Sequence, residues 1–364
     1  MPAALGLIGG LALLIGGAEL LIRGAARLAV SAGLTPLVVG LTVVAFGTGA
    51  PELAVGLSSG LGQAPAVGIG NVVGSNIANV LLVLGLSALV APLRVARRLI
   101  RLDVPVMLAA SVLVWVLAGD GCIGRLEGGA LVLAAAGYTA FVLRLARREA
   151  AMSRAAAELP GLPARPVWWR DLALVLGGLV LLVLGAQALV TAAVQLAVGF
   201  GVSELVVGLT VVAVGTSLPE LATSVVAAAR GHGQMAVGNV VGSNIFNLLV
   251  VLGASAVVAG GLPVSAAARR FDLPVLTAVA FACLPVFFAG HRIARWEGGL
   301  FFVYYLAYVG YLLLDGTGHR AAPVFGWAMM SFVLPLTAVT LAVLTVRAWR
   351  RQRRGCVHRY EDDP

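Results

Sequence analysis

A chain of 364 residues in which 60% are hydrophobic and only 11% charged, with a mean hydropathy of +1.01, is excluded from the soluble globular class. Its apolar runs are about 20 residues long, the length of a membrane-spanning helix, and not the roughly 10-residue alternating segments of a barrel. The formal charge is +9 and all 25 basic residues are arginine, so where those arginines fall decides between a nucleic-acid surface and a membrane topology.

Eleven spans are predicted, at about 3–22, 34–60, 64–90, 102–118, 125–145, 170–190, 203–229, 235–259, 272–290, 297–314 and 324–346. The first run has no basic residue before it and carries Glu19, which marks it as a span and not a cleaved leader. If the chain starts outside, 21 arginines lie on the inner side and only Arg125, Arg269, Arg270 and Arg320 on the outer side. The positive-inside rule then predicts a multi-pass protein of the cell (inner) membrane, N-terminus outside and C-terminus cytoplasmic. On this reading the basicity is topological, the lipid bilayer is the surrounding partner, and nucleic acid is not one. Cys122, Cys283 and Cys356 share no metal-ligand or disulfide spacing, and Cys356 and His358 read as solvated tail residues.

Displaced by 168 residues, the sequence matches itself. VVGLTVVAFGTGAPELAV at 38–55 meets VVGLTVVAVGTSLPELAT at 206–223, and GNVVGSNIANVLLVLG at 70–85 meets GNVVGSNIFNLLVVLG at 238–253. Weaker matches pair RLDVPV at 101–106 with RFDLPV at 270–275, and RLEGGALV at 125–132 with RWEGGLFF at 295–302. Each half carries five spans, and an odd number sends the second half into the membrane from the opposite side. The expected fold class is an all-α polytopic membrane protein with a ten-helix core of two inverted five-helix repeats, plus an eleventh C-terminal helix. The expected boundaries are a first repeat at 1–145 with its motif at 38–85, a cytoplasmic linker at 146–169, and a second repeat at 170–315 with its motif at 206–253. An extra span at 316–346 and a basic cytoplasmic tail at 347–364 complete the chain.

Glu52 and Glu220 fall in mid-span at equivalent positions. A carboxylate at the bilayer centre costs about 2.5–3.5 kcal/mol on insertion. No arginine lies within either motif, so a cation or proton is the simplest compensating charge. Pro51 and Pro219 lack an N–H and crowd the carbonyls of Gly47 and Gly215, which lipid cannot satisfy. Thr48 shares a helix face with Glu52, as Thr216 does with Glu220, and Ser75 with Asn79 and Ser243 with Asn247 repeat that spacing. Carboxylate, hydroxyl, amide and backbone oxygens without sulfur or imidazole form the ligand set of hard cations such as Ca2+ and Na+, not of zinc or copper. Asn71, Asn76, Asn239 and Asn244 fit cation contact and interhelical hydrogen bonding equally well. No nucleotide-binding loop or other cofactor motif is present, and no His or Lys base accompanies Ser75 or Ser243, so no catalytic residue is expected.

The paired GTxxPE and GNxxGSNxxN motifs resemble the two α-repeats of the cation/calcium exchanger superfamily, most closely the prokaryotic sodium/calcium exchangers, over roughly residues 5–315. The resemblance implies a secondary antiporter, not an enzyme, that exchanges Ca2+ for Na+ by alternating access with no ATP, cofactor or obligate protein partner. It implies that Glu52, Glu220, Thr48 and Thr216 bind Ca2+. Sodium would use these groups with Ser75, Ser243, Ser217, Asn79, Asn247 and the carbonyls of Ala45 and Ala213. It further implies three Na+ for one Ca2+ and a sliding gate made from the first helix of each half. The chain departs from the pattern at Gly49, where the second repeat has Ser217, at Asn247, where exchangers often carry an acid, and in the extra span. The first two departures leave a proton-coupled or K+-dependent exchanger on the same scaffold as the alternative.

Overall fold

The computed structural model describes residues 3–32, 34–61, 65–156, 168–199, 213–288 and 290–329, and within them the chain is almost wholly helical. In chain order the helices are α1 (Ala3–Ala32), α2 (Pro36–Thr48), α3 (Ala50–Leu61), α4 (65–90), α5 (Leu99–Asp120) and α6 (Arg125–Ala156). After these come α7 (Trp168–Gly199), α8 (Leu218–Ala229), α9 (Gly233–Ala259), α10 (Ala268–Phe288), α11 (Arg295–Gly316) and α12 (Ala322–Ala328). Among the described residues eight helices are long and apolar enough to cross a membrane, and α2 with α3, bent by 44° at their junction, form a ninth span. The chain is therefore an all-α polytopic membrane protein. Of the seventh predicted span only residues 213–229 are described, the short helix Ala213–Gly215, a turn at Thr216 and Ser217, and α8. Most of the predicted eleventh span, the middle of the linker and the basic tail lie outside the described residues.

Two helices outrun their predicted ends for the same reason. α1 continues past residue 22 to Ala32 and α6 past residue 145 to Ala156, because apolarity ends at the membrane surface whereas helix propensity does not. In α6 the extension is the Ala- and Arg-rich LARREAAMSRAA, which takes nearly half of the expected linker.

Burial sorts the helices into an inner and an outer set. In the most apolar stretch of α4 and of α9, 83% of residues are buried inside the protein, against 22% in α6 and α11. Leu5, Ile8, Leu133, Val116 and Val303 stand exposed on the outer helices, as lipid-facing side chains should. α4 and α9, which carry the GNVVGSN motifs, are thus the centre of the molecule, and one continuous apolar cluster joins the two halves around them.

Helices in lipid have no hydrophobic force between them and pack through small residues. α1 and α7 meet along a glycine stripe. A Cβ on Gly10 would stand 2.9 Å from the Gly185 carbonyl oxygen, one on Gly17 2.8 Å from that of Gly178, and one on Gly24 2.7 Å from that of Asp171. Positions rising along α1 meet positions falling along α7, so these repeat-equivalent helices run antiparallel. An ion pair joins them, Arg27 lying 3.7 Å from Asp171, while Glu19 takes Arg23 of its own helix at 2.6 Å and Arg230 at the end of α8 at 2.8 Å.

The same antiparallel relation recurs at four short strands. β1 (Leu93–Arg94) and β2 (Cys122–Gly124) flank α5, while β3 (Gly261–Pro263) and β4 (Arg292–Ile293) flank α10. β1 pairs antiparallel with β4, and β2 with β3. The start of α5 therefore lies beside the end of α10, and these helices too are antiparallel. The weaker repeat matches acquire roles here. Asp103 and Asp272 accept hydrogen bonds from Tyr138 and Tyr308 at 2.9 and 3.0 Å. Glu127 and Glu297 each accept a backbone N–H at 2.7 Å at the start of α6 and α11. Beside those caps Gly128 packs on Gly253, and Gly298 on Gly85.

Candidate functional site

Each motif breaks its span, the first at Gly49 and the second at Thr216 and Ser217. Gly49 ends α2 with φ −76° and ψ 0°, and Ser217 precedes α8 with φ −86° and ψ 4°, a conformation that stops the α-helical ladder. The chain then restarts with Pro51 and Pro219 in the first turn, where a missing N–H costs nothing. Glu52 and Glu220 follow within that turn, at the positive end of the helix dipole. The break thus aims a carboxylate from each repeat into the middle of the protein.

Both carboxylates are completely buried, and they lie close enough to repel one another. Thr48 of the first repeat stands beside the Glu220 carboxylate of the second. None of the four carboxylate oxygens has a hydrogen-bonding partner among the described residues, and the same holds for Ser217 Oγ, Ser243 Oγ and both amide atoms of Asn247. Buried polar atoms are ordinarily paired, so these orphaned groups, carried by the broken spans and by α9, make this a candidate ligand site.

Hydrogen bonds between the repeats hold the wall. Thr48 donates to the Val44 carbonyl at 3.1 Å and lies 3.4 Å from Asn239 Oδ1, while Thr216 donates to Asn71 Oδ1 at 3.3 Å. Each threonine of a broken span therefore meets the first asparagine of the other repeat's GNVVGSN motif. Thr216 also lies 3.4 Å from Ser75 Oγ, and Asn71 donates to the Glu52 carbonyl at 3.4 Å. Asn79 donates to Asn244 Oδ1 at 3.1 Å, which ties the centres of α4 and α9 together. A π-helical turn begins at each outer asparagine, Asn79–Leu84 in α4 and Asn247–Val251 in α9. Such turns rotate a side chain away from the regular helix face and are frequent at functional sites.

The predicted residues Glu52, Glu220, Thr48, Thr216, Ser217, Ser75, Ser243, Asn79 and Asn247 all belong to the broken spans or to the centre of α4 and α9, and all but Thr216 are essentially fully buried. The Ala45 carbonyl accepts the Gly49 N–H at 3.0 Å and retains one lone pair. Ala213 is the first described residue of its segment. Asn239, Asn244 and Asn71 make interhelical hydrogen bonds, whereas the Asn76 amide donates within its own helix to Val72 and its Oδ1 has no partner among the described residues. Thr223 and Ser224, which receive the Asn239 amide at 3.1 and 3.0 Å, escape sequence reasoning because the first repeat has Val55 and Gly56 there, so comparing the repeats points away from them.

No group of three or more His, Cys, Asp or Glu capable of holding a metal occurs among the described residues. Two carboxylates within a shell of neutral oxygens suit a hard cation that enters and leaves, not a tightly held soft one.

Comparison with known proteins agrees with this geometry. The family described as sodium/calcium exchanger protein matches residues 2–144 and 171–314, the two halves on either side of the linker. The putative antiporter CaxA of Alkalimonas amylolytica is 37% identical over 75% of this chain and 85% of its own length. The sodium/calcium exchanger MaX1 of Methanosarcina acetivorans is 33% identical over 73% of this chain and 86% of its own. Among solved structures, the sodium-calcium exchanger NCX_Mj superposes with a TM-score of 0.74 at 30% identity, over 86% of this chain and all of that one. Family members are transporters and not enzymes. With both halves matched and relatives covered along most of their length, the chain belongs to the sodium/calcium exchanger protein family.

Proposed function

We propose that this protein exchanges Ca2+ for Na+ across the membrane by alternating access, with Glu52 and Glu220 as the shared ligands. The observation that carries the reading is a pair of buried carboxylates, one from each inverted motif, whose four oxygens lack hydrogen-bonding partners among the described residues. Ca2+ takes six to eight oxygens and is neutralised by the two carboxylates. Thr48, Thr216 and the carbonyls of Ala45 and Ala213 would complete its shell, and Na+ would share these groups with Ser75, Ser217, Ser243, Asn79 and Asn247.

Antiport then follows from desolvation. Two ionised carboxylates shut away from water without a cation are too costly to occlude, so the site changes sides only when loaded. The antiparallel α1 and α7, in close contact along a glycine stripe, suit a pair that slides past the site as a gate. The arginine distribution supports a cell-membrane orientation with the N-terminus outside and the tail cytoplasmic.

In proteoliposomes loaded with Na+ and diluted into Na+-free buffer, 45Ca2+ uptake is expected, and Glu52→Gln or Glu220→Gln should abolish it. Uptake driven equally well by a pH gradient without Na+ would replace the sodium reading with a proton-coupled one. A strict requirement for K+ would indicate the potassium-dependent alternative.

A further inference from the structure

The two repeats tie the turn that bears the carboxylate to the neighbouring helix in different ways. In the first, Asn71 of α4 donates its amide directly to the backbone carbonyl of Glu52 at 3.4 Å. In the second, Asn239 of α9 donates to Thr223 Oγ1 at 3.1 Å, and Thr223 donates onward to the backbone carbonyls of Pro219 at 2.8 Å and Glu220 at 3.1 Å. One hydroxyl thus stands between the asparagine and the glutamate's turn, where the first repeat has Val55. Asn239 also donates to Ser224 Oγ at 3.0 Å, where the first repeat has Gly56. Asn239, Thr223 and Ser224 are all fully buried.

This chain of bonds has a direction. An asparagine amide presents two donors on one side and an acceptor on the other, and its neighbours decide which side faces where. The single proton of Thr223 is committed to backbone carbonyls, so towards Asn239 its oxygen can only accept. The Asn239 amide nitrogen therefore faces α8, and its Oδ1 faces Thr48, whose Oγ1 lies 3.4 Å away. Thr48 then stands between two acceptors, Asn239 Oδ1 and the Val44 carbonyl at 3.1 Å, and beside the Glu220 carboxylate. Asn71 has the same polarity in the first repeat, its Oδ1 taking the Thr216 hydroxyl at 3.3 Å. Resting on the exchange reading above, we propose that Thr223 and Ser224 are positioning residues for the cation site. They hold the Asn239 amide so that the Thr48 proton is drawn towards Asn239 and Val44, which leaves the lone pairs of Thr48 to a cation at Glu220. A reversed amide would donate into those lone pairs instead. Thr223 is thus not a ligand and acts through Asn239 and Thr48.

The test is equilibrium 45Ca2+ binding to the purified full-length protein, with thermal melting alongside to separate binding from folding. Thr223→Val, which gives the second repeat the residue of the first with little change of shape, is expected to bind Ca2+ roughly three- to tenfold more weakly, the worth of one hydrogen bond. Thr223→Ser keeps the hydroxyl and is expected to restore wild-type affinity. Thr48→Val should weaken binding by itself, and adding Thr223→Val to it should bring no further loss, because the route through Thr48 is already cut. Unchanged affinity in Thr223→Val would overturn the proposal, as would a loss that Thr223→Ser shares, or losses that add in the double variant. Should Thr223→Val fail to fold, Ser224→Ala removes the other acceptor and is expected to weaken binding by a smaller factor. Wild-type affinity in Ser224→Ala would then overturn the proposal equally. A wild-type protein that binds no Ca2+ would count against the exchange reading itself, a separate outcome.

Discussion

At the scale of single residues, the site is a balance between two buried like charges and whatever cation separates them. Glu52 and Glu220 lie close enough to repel one another, and Asn247, buried with both amide atoms unpaired among the described residues, would add oxygen without charge. Asn247→Asp would bring a third carboxylate. One unit charge at partly screened range is worth at least about 1.4 kcal/mol, so Ca2+ should bind roughly tenfold tighter or more. Protons should also inhibit transport more strongly, since a third acid raises the affinity of the cluster for protons. Rates of 45Ca2+ uptake across a pH series check this, and an unchanged profile would show that Asn247 does not face the ions. The residues of the candidate site could be proposed from the sequence because mid-membrane carboxylates, prolines and hydroxyls have few structural uses in lipid. The close approach of Phe246 to Gly49 could not be. The two positions lie 197 apart in the chain, and no spacing rule says which helix faces meet.

Helix identity could be read from apolar run length, yet helix detail could not. The π-helical turns at Asn79–Leu84, Leu99–Asp103, Asn247–Val251 and Ala268–Asp272 each insert one residue into a turn, too small a change for hydrophobic periodicity to register. The strands of two or three residues are shorter than any alternation pattern. Glycine content announced close packing, but only the structure separates the glycines that need it from those that do not. A Cβ on Gly178 would meet Leu21 N at 2.6 Å and the Gly17 carbonyl oxygen at 2.7 Å, both backbone atoms that cannot move aside cheaply. Gly178→Val should therefore destabilise the protein by about 1–3 kcal/mol or more, as overpacking does. Its neighbour Gly177 has nothing within 4 Å. There Gly177→Ala should be neutral or stabilising by up to about 1 kcal/mol, from helix propensity. Thermal melting in detergent distinguishes the two, and equal effects would contradict the antiparallel α1–α7 contact.

For the whole molecule, the doubled motif and the odd number of spans per half foretold antiparallel halves. The observed pairing of β1 with β4 and β2 with β3 has that sense. Which face is cytoplasmic is a further inference from the arginines, and it has its own check. In a Cys356→Ser background, an impermeant maleimide should label Cys122 on intact cells from outside. Arg94→Cys should label only in inverted vesicles, because β1 and β2 sit at opposite ends of α5. Labelling of both positions from one side would contradict the topology. The central claim is that one cage, built from both repeats, holds one Ca2+. Equilibrium 45Ca2+ binding to the purified full-length protein tests it most directly. One Ca2+ per chain is predicted, with binding lost in Glu52→Gln and equally in Glu220→Gln. Two Ca2+ per chain, or a single variant that keeps half of the binding, would contradict a shared site.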